Sequence, residues 1–306
     1  MLARIGGMVR FKEPLSFYTS IRIGGPAEFF IIPHDLDDLR YALAFAEHEG
    51  LPLTVLGGGN NLLIADQQIH GIVVKLGGIL GRAQFQGEEA AVGAGLSLSE
   101  LIREAAANDL GGLECLSGIP ASVGGALAVN AGTRDGAILD LCSAVYFMCL
   151  DGTVDEHRPV AHAGSSFDLP AGAIVVGAKL RLVRRPAREI QRNIQQRTKA
   201  RKATQPFALA SVGYIWQDPP GHQAERLIDS IGMRGKRVND AEVPWKCSNL
   251  IVNRGSAGPD DVLALMAMTR DRVADRLGIT LQPRIRLLGF SNASAPQSLE
   301  LATAAR

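Results

Sequence analysis

The sequence predicts an α+β protein built from two parts, and three observations lead to this prediction. Its 306 residues, 46% hydrophobic and 21% charged, are enough to bury more than one core. Strand-like apolar stretches alternate with amphipathic stretches at helical spacing along most of the chain. A long polar helix over 187–203, closed by a Gln-Pro pair, marks a boundary. We therefore expect a first part over 1–205, a second over 206–290, and a small, polar, disordered tail over 291–306.

The first part opens with strands and one well-marked helix. Residues 17–34 alternate apolar and polar side chains around a Gly-Gly pair, which predicts a strand, a turn and a strand. Residues 35–50 begin with Asp, place apolar residues at helical spacing and end with Gly, so we expect a capped helix. The apolar stretches 51–56 and 62–76 then predict strands on either side of the sequence GGGNN.

The remaining elements continue this mixture. Residues 90–112 predict a strand, a turn and a helix that is capped near Ser97. Residues 145–157 predict a hairpin that turns at an Asp-Gly pair, and residues 173–183 predict another strand. In the second part, residues 259–278 predict a helix, and the stretch QPRIRLLGF near the end predicts a strand.

Charge and cysteine content narrow the range of partners. The formal net charge is +1, so we expect no bulk attraction to nucleic acid or to anionic membranes. No apolar run reaches the roughly 18 residues that a membrane-spanning helix needs. Cys115, Cys142, Cys149 and Cys247 show no CxxC spacing. We interpret them as reduced thiols of a cytoplasmic protein and expect no metal site.

Two glycine-rich stretches are the candidate binding loops. Their backbone N–H groups could hold the two phosphates of a dinucleotide from both sides. Neither stretch has the GxGxxG pattern with its acidic partner, or the Lys-Ser/Thr pair of a P-loop. Tight turns between buried strands are the alternative interpretation of each. The candidate residues are Gly57, Gly58, Gly59, Asn60, Asn61, Leu62, Gly118, Ile119, Pro120, Ser122, Gly124, Gly125 and Asn130.

These loops belong to a series of motifs that occur in a fixed order. The series is TSIRIGGPAEFF, LTVLGGGNNLLIAD, GLECLSGIPASVGGALAVNAG, RKATQPFALASVGYIWQDPPGHQAERLID and CSNLIVN. Over about residues 10–290 the chain resembles the UDP-N-acetylenolpyruvoylglucosamine reductase (UDP-N-acetylmuramate dehydrogenase) family of peptidoglycan precursor synthesis. The resemblance implies a two-lobed FAD-binding unit of the vanillyl-alcohol-oxidase type, followed by an α/β substrate-binding domain. It also implies that both loops hold FAD, chiefly its pyrophosphate, and that NADPH is the electron donor.

The reaction that the resemblance implies has two steps. NADPH reduces the flavin, and a hydride then passes to the enolpyruvyl double bond of a UDP-sugar. In the family an arginine polarises the substrate carboxylate with help from a glutamate, and a serine donates the final proton. Aligned on these motifs, this sequence has Gly164 in place of the arginine, Tyr214 in place of the serine and Arg284 in place of the glutamate.

Three interpretations of these departures remain open. The favoured one is an FAD-dependent oxidoreductase with a different, anionic substrate. Arg284, Arg286 and Lys246 suit the negative charge of this substrate, and Asn249 is a further contact. Tyr214 and Trp216 stack against its ring. For the two aromatic residues, core packing is the alternative. The second interpretation is the family's reductase, with Tyr214 as proton donor and Arg284 as substitute cation. The third is an FAD- or nucleotide-binding protein without turnover.

The polar helix also carries a basic run that needs an interpretation. Arg197, Lys199, Arg201 and Lys202 lie close together near its end. A solvated helix face is the favoured interpretation. Contact with a diphosphate is the alternative, because arginine matches the geometry of phosphate oxygens.

Overall fold

The computed structural model describes residues 2–159, 169–206 and 208–290. The predicted tail over 291–306 lies outside these residues. The strands are β1 (Met8–Pro14), β2 (Pro26–Ile32), β3 (Leu53–Val55), β4 (Leu62–Ile64), β5 (Ile69–Val74), β6 (Ala83–Gln86), β7 (Glu89–Gly93), β8 (Leu110–Gly111), β9 (Gly132–Thr133), β10 (Gly136–Ala137), β11 (Cys142–Met148), β12 (Val154–His157), β13 (Ile174–Arg181), β14 (Val183–Arg184), β15 (Ala210–Tyr214), β16 (Arg237–Val238), β17 (Ala241–Glu242), β18 (Leu250–Asn253) and β19 (Arg286–Leu288).

The helices alternate with these strands, as the mixed pattern of the sequence predicts. They are α1 (Leu36–Glu49), α2 (Leu98–Ala107), α3 (Val123–Ala128), α4 (Ala187–Thr204), α5 (Ala224–Ser230) and α6 (Pro259–Leu277). Short 3-10 helices cover Leu2–Arg4, Leu15–Tyr18, Gly78–Gly81, Leu113–Leu116 and Ile138–Leu141.

The first sheet has the strand order β1-β2-β5-β3. Strands β1 and β2 are antiparallel, whereas β5 runs parallel to both β2 and β3. The helix α1 begins where the sequence predicts, because the side chain of Asp35 accepts a hydrogen bond from the N–H of Asp38. It ends at Gly50, which adopts φ 65°.

The predicted strand–turn–strand over 17–34 is wrong in its first half. Residues Leu15–Tyr18 form a 3-10 helix, and the antiparallel partner of β2 is β1. The Gly-Gly pair does not form a hairpin turn but connects neighbouring segments through backbone hydrogen bonds. The N–H of Leu15 donates to the carbonyl of Gly25, and the N–H of Gly25 donates to the carbonyl of Ala65.

The second sheet is antiparallel and has the order β12-β11-β13-β7-β6. It contains the predicted hairpin as β11 and β12. One hydrophobic cluster joins the two sheets, since it includes Ile31 and Val74 from the first and Val92, Val145 and Leu180 from the second. The first two sheets thus form two lobes around a shared core.

The third sheet has the order β15-β18-β17-β16 and packs with α5 and α6 around a second core. This core also contains Ile21, Ile23 and Leu63 from the first part of the chain. In addition, the last strand β19 pairs in parallel with β4, with Leu287 opposite Leu63. The C-terminal residues are therefore folded around side chains that precede them by about two hundred positions.

Candidate functional site

The first glycine-rich loop follows β3 and forms a closed turn. The N–H of Leu56 donates to the carbonyl of Val74, which ends the pairing with the first sheet. Gly59 adopts φ 63°, and a Cβ there would lie 2.1 Å from the carbonyl oxygen of Tyr18. The side-chain amide of Asn60 donates to the carbonyl of Gly58 at 2.8 Å. This hydrogen bond closes the turn through the side chain of Asn60.

The backbone of this loop presents free donors. Within the described ranges, no residue accepts a hydrogen bond from the N–H groups of the five loop residues. Successive N–H groups without a protein partner form the kind of concave nest that binds anionic oxygens. The five residues are Gly57, Gly58, Gly59, Asn60 and Asn61.

The second glycine-rich stretch packs directly against the first. A Cβ on Gly57 would lie 2.9 Å from Oγ of Ser122, and one on Gly58 would lie 3.2 Å from the N atom of Ser122. At such distances a side chain at either glycine would press against the second stretch. We call residues 57–61 and 121–125 together the glycine cradle. The sequence predicted two loops on opposite sides of one ligand, and the structure brings these two segments together.

The other residues predicted for the second loop hold its shape. Gly118 adopts φ 77° and leads through Ile119 and Pro120 into the cradle. A Cβ on Gly124 would lie 2.8 Å from the Cβ of Ala94. Asn130, with φ 43°, accepts a hydrogen bond from the N–H of Leu139 at 3.2 Å.

Part of this stretch is helical, which the sequence did not indicate. The helix α3 starts after Ser122, whose buried hydroxyl accepts a hydrogen bond from the N–H of Gly125 at 3.1 Å. On the first loop, Leu62 starts β4 and so connects the cradle to the last strand of the chain.

Lys75 is a cation at the cradle that sequence reasoning missed. Its Nζ donates to the carbonyl of Gly57 at 3.1 Å. Burial lowers the pKa of Lys75, and no acidic group of the described residues acts against this shift. The sequence did contain a feature that could have identified Lys75. It lies at the end of the apolar stretch IHGIVVKL, where a charged side chain is unusual.

The strand β15 brings Tyr214 next to the cradle. Gly213 adopts φ 82°, and a Cβ there would lie 2.8 Å from the carbonyl oxygen of Asn60 and 2.7 Å from Oδ1 of Asn61. Arg284 reaches the same place through its backbone. Its N–H donates to the carbonyl of Ile215 at 2.7 Å, and its carbonyl accepts from Nδ2 of Asn61 at 3.4 Å.

The hydroxyl of Tyr214 has a defined hydrogen-bond partner. Nε2 of Gln205 donates to it at 2.8 Å. Burial raises the pKa of Tyr214, while the hydrogen bond from Gln205 and the positive charge of Arg201 act in the opposite direction. The phenol is half-buried, so it keeps its proton at neutral pH while remaining near the protein surface.

An open pocket of about 630 Å³ lies beside Gln205. Its lining residues are Lys202, Gln205, Pro206, Ala208, Leu209 and Lys246. Nζ of Lys246 donates to the carbonyl of Lys202 at 2.7 Å, which holds the amino group at the pocket. The pocket therefore has a cationic wall. The guanidinium of Arg284 is exposed and makes no hydrogen bond to another described residue.

Two of the predicted substrate contacts lie in the second core instead of this pocket. Trp216 is only 3% exposed and packs among the apolar side chains of that core. Asn249 is also buried, and its amide accepts from the N–H of Trp216 at 2.9 Å and donates to its carbonyl at 3.0 Å. This geometry agrees with the core-packing alternative for Trp216 and gives Asn249 a structural role.

Three further sequence-based expectations concern Gly164, metal ions and membrane-spanning helices. Gly164 lies outside the described residues. Across 2–159, 169–206 and 208–290, His, Cys, Asp and Glu residues form no group of three that could hold a metal ion. In the same ranges, no helix is both long enough and apolar enough to cross a membrane.

Comparison with known proteins assigns this arrangement to a family. Residues 27–156 match the FAD binding domain, and residues 205–288 match the C-terminal domain of UDP-N-acetylenolpyruvoylglucosamine reductase. The reductase of Geobacter sulfurreducens is 37% identical over 288 residues, covering 94% of this chain and 96% of its own. The reductase of Moorella thermoacetica is 38% identical over 280 residues, covering 91% of this chain and 92% of its own.

A solved structure leads to the same family. The crystal structure of the Thermus caldophilus reductase has a TM-score of 0.78 and 36% identity, and it covers 92% of this chain and 98% of that chain. The expected α+β class and the two-lobed FAD-binding fold, followed by an α/β domain, are confirmed. The chain belongs to the UDP-N-acetylenolpyruvoylglucosamine reductase family and is an FAD-dependent oxidoreductase.

Proposed function

We propose that the chain uses NADPH and FAD to reduce UDP-N-acetylenolpyruvoylglucosamine, with Tyr214 in place of the family's serine. The observation that carries this proposal is the close approach of Gly213 to Asn60 and Asn61, since it puts the backbone of β15, which also carries Tyr214, beside the glycine cradle. We also place the reaction in the cytoplasm, because all four cysteines are free thiols.

The glycine cradle is the FAD pyrophosphate site in this proposal. Its support is the row of backbone N–H donors over 57–61 that have no protein acceptor among the described residues. The amino group of Lys75 adds a positive charge next to Gly57. Bound FAD, once reduced by NADPH, would supply the hydride that adds to the enolpyruvyl double bond.

Tyr214 donates the proton that completes the reduction. After a hydride has added to one carbon of the double bond, the neighbouring carbon holds an electron pair stabilised by its carboxylate. The phenolic O–H bond breaks and a C–H bond forms, and the phenolate takes a proton from water after the product has left the pocket. An ordinary phenol has a pKa of about 10, well below about 15.7 for water, so tyrosine can replace an aliphatic hydroxyl as the acid.

Gln205 prepares Tyr214 for this role. Its amide already donates to the phenol oxygen at 2.8 Å, so the same hydrogen bond stabilises the phenolate that forms. The cationic wall of the pocket, with Lys202 and Lys246, suits the diphosphate of a nucleotide sugar. Together these groups bind an anionic substrate and hold a proton at one defined atom.

A change of substrate is the second candidate function, and one observation favours it. The ring at position 214 is half-buried at a place where the family has a serine, so it removes volume from the site. The exposed guanidinium of Arg284 also brings positive charge where the family has a negative one. An enzyme with these changes would reduce or oxidise a different anionic molecule at the same flavin.

One experiment separates the candidates. The purified, FAD-loaded protein is mixed anaerobically with NADPH while the flavin absorbance is recorded, and UDP-N-acetylenolpyruvoylglucosamine is then added. We expect rapid bleaching and then recovery of the oxidised spectrum. Bleaching without recovery supports the changed substrate. A flavin that stays oxidised with NADPH contradicts the proposed reaction.

A further inference from the structure

The basic run of α4 contains one guanidinium that is not solvated. The sequence favoured a solvated face for this run, but Nη1 of Arg201 is fully buried. Within the part of the chain that the structure describes, this atom has no hydrogen-bond partner. A buried cationic donor without a partner is costly, so such a group is expected to meet an anion in the working protein.

The end of α4 places Arg201 beside the proposed proton donor. The N–H of Gln205 donates to the carbonyl of Arg201 at 2.9 Å, so the two residues lie one helical turn apart. Residues at this spacing share a helix face. Gln205 in turn donates to the hydroxyl of Tyr214. The positive charge of Arg201 also acts to lower the pKa of Tyr214, which agrees with their proximity.

The nearby acidic group is already engaged. Glu225 lies close enough to Tyr214 to influence the pKa of the phenol, but its carboxylate pairs with Arg234 at 3.5 Å. Burial lowers the pKa of Arg201, yet a guanidinium remains charged in proteins. The unpaired Nη1 is therefore a fixed positive charge that the described protein groups leave without a counter-ion.

We propose that Arg201 binds the carboxylate of the substrate next to Tyr214. This inference rests on the proposed function, in which Tyr214 protonates the carbon that bears this carboxylate. The anionic oxygens that come within reach of both residues are then those of the carboxylate, whereas the diphosphate lies farther along the substrate. A cation at this place withdraws electron density from the double bond while the hydride adds. Position 164 holds a glycine, which has no side chain for this task.

The test compares Arg201→Gln and Arg201→Lys with Lys199→Gln, which removes an exposed charge from the same helix. Three quantities are measured: the rate of flavin reduction by NADPH, the rate at which UDP-N-acetylenolpyruvoylglucosamine reoxidises the reduced flavin, and the Kd of UDP-N-acetylglucosamine. The last compound carries the diphosphate but lacks the carboxylate.

We expect Arg201→Gln to slow reoxidation about 100-fold, the typical effect of removing one aligned electrostatic group. Reduction by NADPH and the Kd of UDP-N-acetylglucosamine should both stay within about twofold, because neither involves the carboxylate. Arg201→Lys should fall between Arg201→Gln and the unmodified protein, since it keeps the charge without the planar fork. Lys199→Gln should match the unmodified protein in all three quantities.

The other outcomes overturn the proposal in distinguishable ways. Unchanged reoxidation in Arg201→Gln shows that the carboxylate is bound elsewhere, while the proposed function stands. An equal loss of affinity for UDP-N-acetylglucosamine shows that Arg201 contacts the diphosphate. If the substrate does not reoxidise the unmodified enzyme, the proposed function fails and this inference fails with it. If Arg201→Gln does not retain FAD, a reoxidation rate of Arg201→Lys equal to that of the unmodified protein overturns the proposal.

Discussion

The hydroxyl of Tyr214 can be removed without changing the rest of the side chain. We expect Tyr214→Phe to slow reoxidation of the reduced flavin by substrate at least 100-fold, because no proton donor then faces the reacting carbon. Reduction by NADPH should not change. Stopped-flow absorbance measures both steps. Tyr41→Phe, in α1, is the matched control, and equal reoxidation rates in the two variants would show that another group supplies the proton.

Lys75 allows a test of the cradle that does not depend on turnover. Replacing it with Met keeps the length of the buried stem and removes the charge next to Gly57. We expect the affinity for FAD to fall about tenfold or more, since a hydrogen bond to a charged group is worth about 1.5–3 kcal/mol. Quenching of FAD fluorescence on binding to the apoprotein gives the Kd. Lys199→Met is the control. An equal Kd of FAD in both variants would show that Lys75 does not contribute to FAD binding.

Asp38 should link the stability of the first lobe to pH. Burial alone would raise the pKa of Asp38, but hydrogen bonds from the N–H groups of His34, Gly6 and Gly7 outweigh this and lower it. The stabilisation is therefore present above the ordinary pKa of about 3.9 and is lost as the pH falls through the lower folded value. We expect Asp38→Asn to cost about 1–3 kcal/mol at pH 7.

Urea unfolding at several pH values checks this expectation. The difference between Asp38→Asn and the unmodified protein should shrink below about pH 4. Asp37→Asn is the control, because that carboxylate is exposed and pairs with Arg40 in the next turn. A difference that stays constant with pH would mean that the carboxylate of Asp38 contributes no charge-dependent stability.

Some of these residues were readable from the sequence and others were not. The place of Asn60 in the loop was visible in the sequence, because an asparagine after three glycines commonly forms a hydrogen bond to the backbone of its own turn. Lys75 was missed, and Arg201 was named only as one member of a basic run, because burial by segments distant in sequence is what distinguishes these two residues. Trp216 is the opposite case. Its position near a site motif predicted a contact with the substrate, but the structure buries it in the second core.

At the scale of elements, prediction succeeded where the determining interactions are local. The bounds of α1, α4 and α6 agree with the sequence to within one or two residues, since caps and apolar spacing decide them. It failed over 17–34 and missed α3, because the backbone there is held by partners such as Ala65 and Ala94. No local pattern specifies such partners.

The contact between β15 and the cradle can be tested by two matched glycines. Gly213 and Gly221 adopt φ 82° and 76°, but a Cβ would clash only at Gly213, while at Gly221 nothing lies within 4 Å. Both Ala variants suffer the same backbone strain. We therefore expect Gly213→Ala alone to weaken FAD binding and slow reoxidation, each by about tenfold or more.

FAD titration and stopped-flow absorbance measure these effects, and thermal unfolding reports the strain that both variants share. If the two variants behave alike, the contact of Gly213 with Asn60 and Asn61 has no functional role, and the observation that carries the proposed function loses its weight.

At the scale of the whole molecule, the two parts of the chain are not independent. Ile21, Ile23 and Leu63 lie in the second core, and β4 is paired with β19. We expect a fragment of residues 1–205 to leave these side chains uncovered and to lose stable FAD binding, whereas a chain ending at residue 290 should keep it. FAD titration and thermal unfolding of both proteins check this, and cooperative unfolding of the shorter fragment with bound FAD would contradict it.

The family and the fold class could be predicted from the sequence because the order of several motifs survives along the whole chain. The chemistry of the site could not be predicted to the same extent. The motif alignment interprets Tyr214 and Arg284 as departures from the family, and on that basis the sequence favoured a changed substrate. The partners of Tyr214 only become visible when α4 and β15 are placed together, and they support a proton donor.

The pairing of β4 with β19 has a consequence for how the protein is made. Ribosomes add about 5–20 residues per second, so the strand that adjoins the cradle waits on the order of ten seconds or more for its partner. During that time the nascent chain exposes Leu63 and an unpaired strand edge. We therefore expect flavin to be captured stably only after β19 has emerged and paired with β4, and we expect the unfinished chain to bind molecular chaperones.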